Sequence, residues 1–116
     1  MASHGQARPL GDFELVVLLA AIRCWDEAYG TAILREIEAR TGRVVSGGAL
    51  YVTLDRLEAK GYIRSTLKEP SATRGARPRR YITVTSKGLR AVRESRAELL
   101  NLMRGLDGVL GPVSSQ

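Results

Sequence analysis

Residues 46–85, SGGALYVTLDRLEAKGYIRSTLKEPSATRGARPRRYITVT, decide the fold. Ser46 is an N-cap residue type, whose hydroxyl can accept a hydrogen bond from a free backbone N–H in the first helical turn. The helix it opens should run to about Lys60 and stop at Gly61. Leu50, Leu54 and Leu57 recur at helical spacing and form a core stripe. At about 100° per residue the opposite face carries Gly48, Ala49, Val52, Asp55, Arg56 and Ala59, flanked by Tyr51 and Thr53. Beyond Gly61, Tyr62 to Lys68 and Arg79 to Val84 read as two strands. Ile63 and Leu67, then Ile82 and Val84, alternate with polar residues as a half-buried hairpin requires. Pro70, Gly75 and Pro78 lie between them and read as a mobile tip.

The hairpin is basic. From Pro70 to Arg93 there is no acidic residue, while Arg74, Arg77, Arg79, Arg80, Lys87, Arg90 and Arg93 are cationic. A helix with a small-residue face beside a basic hairpin fits a DNA duplex, the helix in the major groove and the hairpin along the backbone. The expected fold is mainly α with a small β-hairpin: a winged helix-turn-helix followed by a C-terminal dimerisation helix.

Toward the N-terminus, Asp12 is a plausible cap for a first helix in which Leu15, Leu18, Leu19 and Ile22 recur at helical spacing. Val16 and Val17 make this helix apolar on nearly all sides. It should be deeply buried, with Leu15 assigned to contact with a second subunit. Trp25 closes it, with core packing the expected role and ligand stacking the alternative. Gly30 breaks the chain, Thr31 opens a second helix with Ile33, Leu34 and Ile37 inward, and Gly42 ends it. Toward the C-terminus, Thr85 can cap a last helix from Ser86 to about Leu106. Leu89, Val92, Arg96, Leu99, Met103 and Leu106 step by alternating three and four, a heptad seam with one polar member, Arg96. A homodimer would cover that seam; the alternative is that it folds back on its own domain. The division is then a disordered arm (1–9), a winged-helix domain (10–85), a dimerisation helix (86–110) and a disordered tail (111–116).

Bulk properties agree. The 116 residues suggest one domain, and 44% apolar content allows a small core. A formal charge of +6 favours a polyanionic partner. Of the basic residues only Lys60, Lys68 and Lys87 are lysines. Arginine's planar fork suits phosphate and guanine, although GC-rich coding would give the same bias. Cys24 is the lone cysteine, which fits a cytoplasmic chain without an intrachain disulfide. A buried, inert thiol is the expected reading, a redox switch the alternative. The longest apolar run, Leu15 to Ile22, is far short of the ~20 residues a membrane span needs, and no membrane partner is expected. The start, MASHGQARP, lacks the apolar core of a signal peptide. The sole histidine, His4, lies in that arm. With no glycine-rich phosphate loop, metal-ligand cluster or nucleophile–base pair, neither an enzyme nor a metal or cofactor is expected.

DNA binding assigns roles to particular residues. Ser46 and the free N–H groups at the helix start can hold a phosphate. Gly48 and Ala49 let the backbone approach the bases, Ala49 or Val52 can touch a thymine methyl, and Tyr51 and Thr53 can donate to phosphate or base. Arg56 has the longest reach, with Asp55 placed to orient it. Arg74, Arg77, Arg79 and Arg80 would lie on phosphates or in a narrow minor groove.

GGALYVTLDRLEAKGYIRS and RGARPRRYITVTSKGLRAV together resemble the PadR-like transcriptional regulators. Gly48, Leu50, Tyr51, Leu54, Arg56, Leu57, Glu58, Gly61 and Ile63 fall on the family's G-T-L-Y-P-x-L-x-R-L-E-x-x-G-x-I helix. Arg77, Pro78, Arg79, Arg80, Tyr81, Thr85 and Gly88 fall on its G-R-P-R-K-Y-Y-x-L-T-x-x-G wing. LGDFELVVLLAAI and YGTAILREIEARTG look like its first two helices, so the resemblance spans about Leu10 to Leu106. It implies a winged-helix homodimer, usually a repressor, that binds a partly palindromic operator and dimerises through the C-terminal helix with help from the first. Ala49 stands where threonine is usual, Val52 where proline is usual, and Ile82 in place of the second tyrosine. Some relatives take drug-like effectors beside a tryptophan on the last helix. Trp25 lies elsewhere, so no effector site carries over, and a small-molecule effector stays open as a partner. Two rivals remain. A winged helix used as a protein-interaction module needs no basic wing, and a structured-RNA binder would use stacking aromatics, for which only Tyr62 and Tyr81 could serve.

Overall fold

The computed structural model describes residues 10–70, 75 and 77–113. The expected arm at 1–9 and the end of the expected tail, 114–116, lie outside the described residues, as does Arg74.

Helix α1 (Asp12–Cys24) is capped by Gly11, one residue before the expected cap, so Asp12 is its first helical residue. The Gly11 N–H donates to the Glu14 carboxylate at 2.8 Å. Lys60 Nζ donates to both oxygens of the same carboxylate at 2.9 Å, tying the start of α1 to the end of the third helix. Val17, Leu18, Ala20 and Ala21 are buried, whereas Leu15 and Val16 are half-buried and Leu19 is exposed. A single 3-10 turn, Trp25–Glu27, follows. Trp25 is not a core residue: it is 80% exposed. Its backbone, at φ +56° and ψ −122°, leaves the helical register and swings the indole away from the face that α1 buries.

Helix α2 (Gly30–Thr41) starts at Gly30 itself, which therefore opens the helix rather than breaking the chain. A Cβ there would displace the Tyr51 hydroxyl, the mobile end of a half-exposed side chain. Ile33 and Ile37 are buried and Leu34 packs against the core edge. Gly42, at φ +75°, closes α2 in the left-handed conformation that glycine adopts without strain. Helix α3 (Gly47–Ala59) begins at Ser46, whose Oγ accepts from the Ala49 N–H at 3.1 Å. Leu50, Leu54 and Leu57 are buried as their spacing requires.

Strands β1 (Ile63–Lys68) and β2 (Arg79–Val84) pair antiparallel, Ile63 opposite Val84 and Lys68 opposite Arg79. The other edge of β2 is also engaged. The Ile82 N–H donates to the Ala28 carbonyl at 2.8 Å, and Tyr29 bridges Tyr81. β2 is thus central, which buries Tyr81 on one face and Ile82 on the other. Leu67, expected inward, is 71% exposed. It lies opposite Arg80, where the hairpin has outrun the core.

Helix α4 (Ser86–Met103) is capped by Thr85, whose Oγ1 accepts from the Gly88 N–H at 3.0 Å. Gly88 is buried, and a Cβ there would strike the Tyr62 carbonyl oxygen. Ala91 and Val92 also pack against the core, but from Arg96 onward every residue of α4 is exposed. The helix stops at Met103, short of the expected Leu106. Arg104 turns extended (φ −59°, ψ 130°), Gly105 takes φ +82°, and a short helix α5 (Asp107–Leu110) follows.

Candidate nucleic-acid interface

The exposed face of α3 is the one its period dictates: Gly48, Ala49, Val52, Asp55, Arg56 and Ala59 are all exposed, as are Ser46 before it and Tyr51 at its edge. A Cβ at Gly47 or Gly48 would meet no atom of the described protein. Thr53 is a correction. It is only 4% exposed, and its hydroxyl donates to the Ala49 carbonyl one turn back at 3.0 Å. That bond holds the side chain on the inward flank, so Thr53 is not available at the surface. The Tyr51 hydroxyl leans over Gly30 at the start of α2.

Neighbouring arginines in the wing have opposite roles. Arg80 donates to the Ser65 hydroxyl (2.8 Å) and the Glu58 carboxylate (2.8 Å), and lies 3.2 Å from the Asp55 carboxylate. It bolts β2 to α3 and is not a free cation. No acid lies between Pro70 and Arg93 in sequence, but α3 supplies two in space. Asp55 consequently pairs with Arg80 rather than orienting Arg56. The Ser65 and Arg80 hydrogen bonds hold the Glu58 carboxyl below its ordinary range.

Arg79 points to the other face of the hairpin, as strand alternation requires. Its guanidinium lies 4.2 Å from the centroid of the Tyr29 ring. Tyr29 meets Tyr81 edge-on at 5.6 Å, and Lys68 Nζ lies 4.5 Å from the Tyr81 centroid. Arg77 is exposed at the root of the tip. Sequence reading missed Tyr29 and Lys68. The hairpin register was the signal that could have found Lys68, since it stands opposite Arg79.

The residues assigned to an interface between subunits fall into two sets. Leu89, Arg96, Leu99 and Met103 are exposed on α4 and Leu15 is half-buried on α1. Val92 packs against its own core, and Leu106 lies past the break at Arg104–Gly105, off the helical seam.

Burial of Glu14 pushes its pKa up. The Gly11 N–H, Lys60 and the charge of Arg56 outweigh that and hold it below the ordinary carboxylate range. Burial and the nearby Glu36 carboxylate push the Cys24 thiol up, which keeps it protonated and unreactive at neutral pH. Among the described residues no group of acidic, histidine and cysteine side chains could hold a metal ion. No helix among them is long and apolar enough to cross a membrane.

A basic winged helix with an open helix face defines a class of nucleic-acid-binding regulators, and the comparisons narrow it. The Transcriptional regulator PadR-like family matches residues 18–94, more than half of the chain. The chain belongs to that family, whose members are DNA-binding and non-enzymatic. A PadR family transcription regulator from hypervirulent Clostridium difficile is similar in fold, with TM-score 0.72 and 22% identity over 87% of this chain and 100% of that one. A PadR-like regulator from Bacillus cereus has TM-score 0.69 and 25% identity over 87% and 93%. One from Eggerthella lenta has TM-score 0.63 and 29% identity over 87% and 85%. No curated protein matches the chain in sequence.

Proposed function

We propose that this protein is a sequence-specific repressor that binds a partly palindromic operator as a homodimer, in the cytoplasm, with α3 in the major groove and the wing along the backbone. The observation that carries the reading is the bare outer face of α3. Glycine within a helix costs up to about 1 kcal/mol against alanine. Among the described residues nothing asks for Gly47 or Gly48, around which there is open space. Close approach of base edges does ask for them. Ser46 and the first N–H groups of α3 would receive a phosphate, Ala49 and Val52 would meet thymine methyls, and Tyr51 and Arg56 would supply donors. Arg77 and Arg79 would hold the backbone, with Arg74 at the tip as a further contact. The apolar face of α4 at Leu89, Leu99 and Met103, with Leu15 on α1, supports pairing with a second copy. A two-fold dimer would then read half-sites about 34–36 Å apart, one turn of the duplex.

The test is selection of bound duplexes from a random pool at fixed salt. An inverted repeat should be recovered. On that operator Arg56→Ala should cost about 1–3 kcal/mol and relax preference at one base pair. Equal losses on operator and random DNA would make Arg56 a phosphate contact instead. A pool with no enriched duplex would sink the reading.

A further inference from the structure

The outer face of the hairpin, the one turned away from α3, carries an arrangement that DNA reading by α3 does not use. Strand alternation and register place Arg64, Thr66 and Lys68 of β1 with Arg79, Tyr81 and Thr83 of β2 on that face. Lys68 and Arg79 stand directly opposite each other. Like charges so placed repel and weaken a hairpin. Among the described residues neither forms an ion pair; Glu69, the acid next in sequence to Lys68, lies beyond the last strand pair. Both cations sit instead on rings. The order Lys68, Tyr81, Tyr29, Arg79 runs cation, ring, ring, cation, with separations of 4.5, 5.6 and 4.2 Å. The rings' negative faces fix the two cations without neutralising them. Tyr29 is itself held by its bridge to β2, immediately before α2.

We infer that Lys68 and Arg79 form a preorganised clamp for one backbone phosphate of the bound duplex, with Tyr29 and Tyr81 as positioning residues that hold the cations in place. This deepens the DNA-binding reading and rests on it. Arg80, one residue along, shows the contrast: it is spent internally on Asp55 and Glu58. A phosphate at Lys68 and Arg79 would supply the anion their juxtaposition lacks, and the rings limit the side-chain freedom lost when it binds.

The clamp separates two readouts. Lys68 and Arg79 carry charge and share one phosphate, so Lys68→Met should flatten the slope of log K against log salt by only part of about 0.9 on any duplex, because Arg79 stays on that phosphate. The double variant with Arg79→Met should bring the total loss to about 0.9, that of one phosphate contact. Tyr29 carries no charge. Tyr29→Leu should weaken binding several-fold while leaving the salt slope unchanged, and Tyr29→Phe, which keeps the ring, should restore the affinity. The probe is a duplex recovered by selection, with a random duplex alongside, and circular dichroism checks that each variant is folded. An unchanged slope in Lys68→Met, with the parent binding normally, overturns the clamp and leaves DNA reading by α3 standing. A parent that binds no duplex at all overturns the DNA reading and the clamp with it.

Discussion

The winged core and the outer half of α4 use their apolar residues in opposite ways. In the core, each periodic stripe meets a partner from the same chain: Leu50, Leu54 and Leu57 of α3 lie against α1, α2 and the hairpin, and all three are buried. In α4 the two behaviours meet within one helix. Its first turns put Gly88, Ala91 and Val92 onto the core, whereas Leu99, Leu100, Leu102 and Met103 are left exposed. An apolar stripe shows that a face will be covered, not by what, and only in the core does one chain supply the cover.

Matched truncations put that difference to the test. Leu54→Ala should cost about 2–5 kcal/mol, since it empties a packed site. Leu102→Ala, at a residue 74% exposed, should stay within about 0.5 kcal/mol. Urea unfolding of both variants measures this, and equal costs would erase the contrast between the regions. Leu99→Arg should act on association instead. It should leave the unfolding of the subunit nearly unchanged and give monomers in sedimentation, because a dimer seam would have to bury an unpaired charge. Dimers that survive it would put the interface elsewhere.

A second break falls inside the core, at Lys60. Lys60→Met would leave the Glu14 carboxylate buried without its cation, at a cost of about 3 kcal/mol. The pH dependence gives the sign. In the parent, Glu14 is held below its ordinary range, so its contribution is complete above about pH 4.3 and fades as pH falls through the lowered folded value. Glu58 acts in the same direction, though it is more open to solvent. In Lys60→Met, protonation relieves the buried carboxylate, so the deficit against the parent should shrink in acid. A deficit constant from neutral pH to pH 4 would mean that Lys60 contributes through its alkyl stem alone.

What was legible in the sequence was whatever depends on local chemistry. Ser46 and Thr85 cap the helices their residue types announce, and the α3 stripe lies where a 3.6-residue period puts it. Both strands end where the alternation ends, with β1 starting one residue later than expected. What escaped depends on neighbours remote in sequence. Tyr81 is buried because Ala28 and Tyr29 pair with the far edge of β2, and an isolated bridge leaves no pattern in sequence. Arg79 and Arg80 look alike in a basic run, yet alternation sends one to the rings and the other to the acids of α3. Thr53 was assigned by its angle alone, and its bond to the Ala49 carbonyl settled the side. The heptad count ran through Arg104–Gly105 because it ignores the glycine that ends the helix.

Gly48→Ala sharpens the comparison by separating fold from function within α3. Since a Cβ there meets nothing among the described residues, the variant should be more stable by up to about 1 kcal/mol. Its operator affinity should nevertheless fall, because the added methyl lies on the face proposed to meet the bases. Thermal unfolding and operator titration measure the two sides. A gain in both would place the DNA elsewhere on the protein.

A modest effect should come from Trp25, between the buried face of α1 and solvent. Its backbone, at φ +56° and ψ −122°, lies where L residues are strained and glycine is not. Its indole, 80% exposed, gains little from burial within the subunit. Trp25→Gly should relieve strain of about 1–3 kcal/mol and forfeit part of that through the freer unfolded chain. The net is a modest rise in Tm, with operator affinity unchanged, if Trp25 lies outside the dimer seam. If the variant instead dissociates in sedimentation, the indole is covered by the second copy, and the strain holds it out to be met. The unpartnered apolar surface of α4 would then continue onto the end of α1.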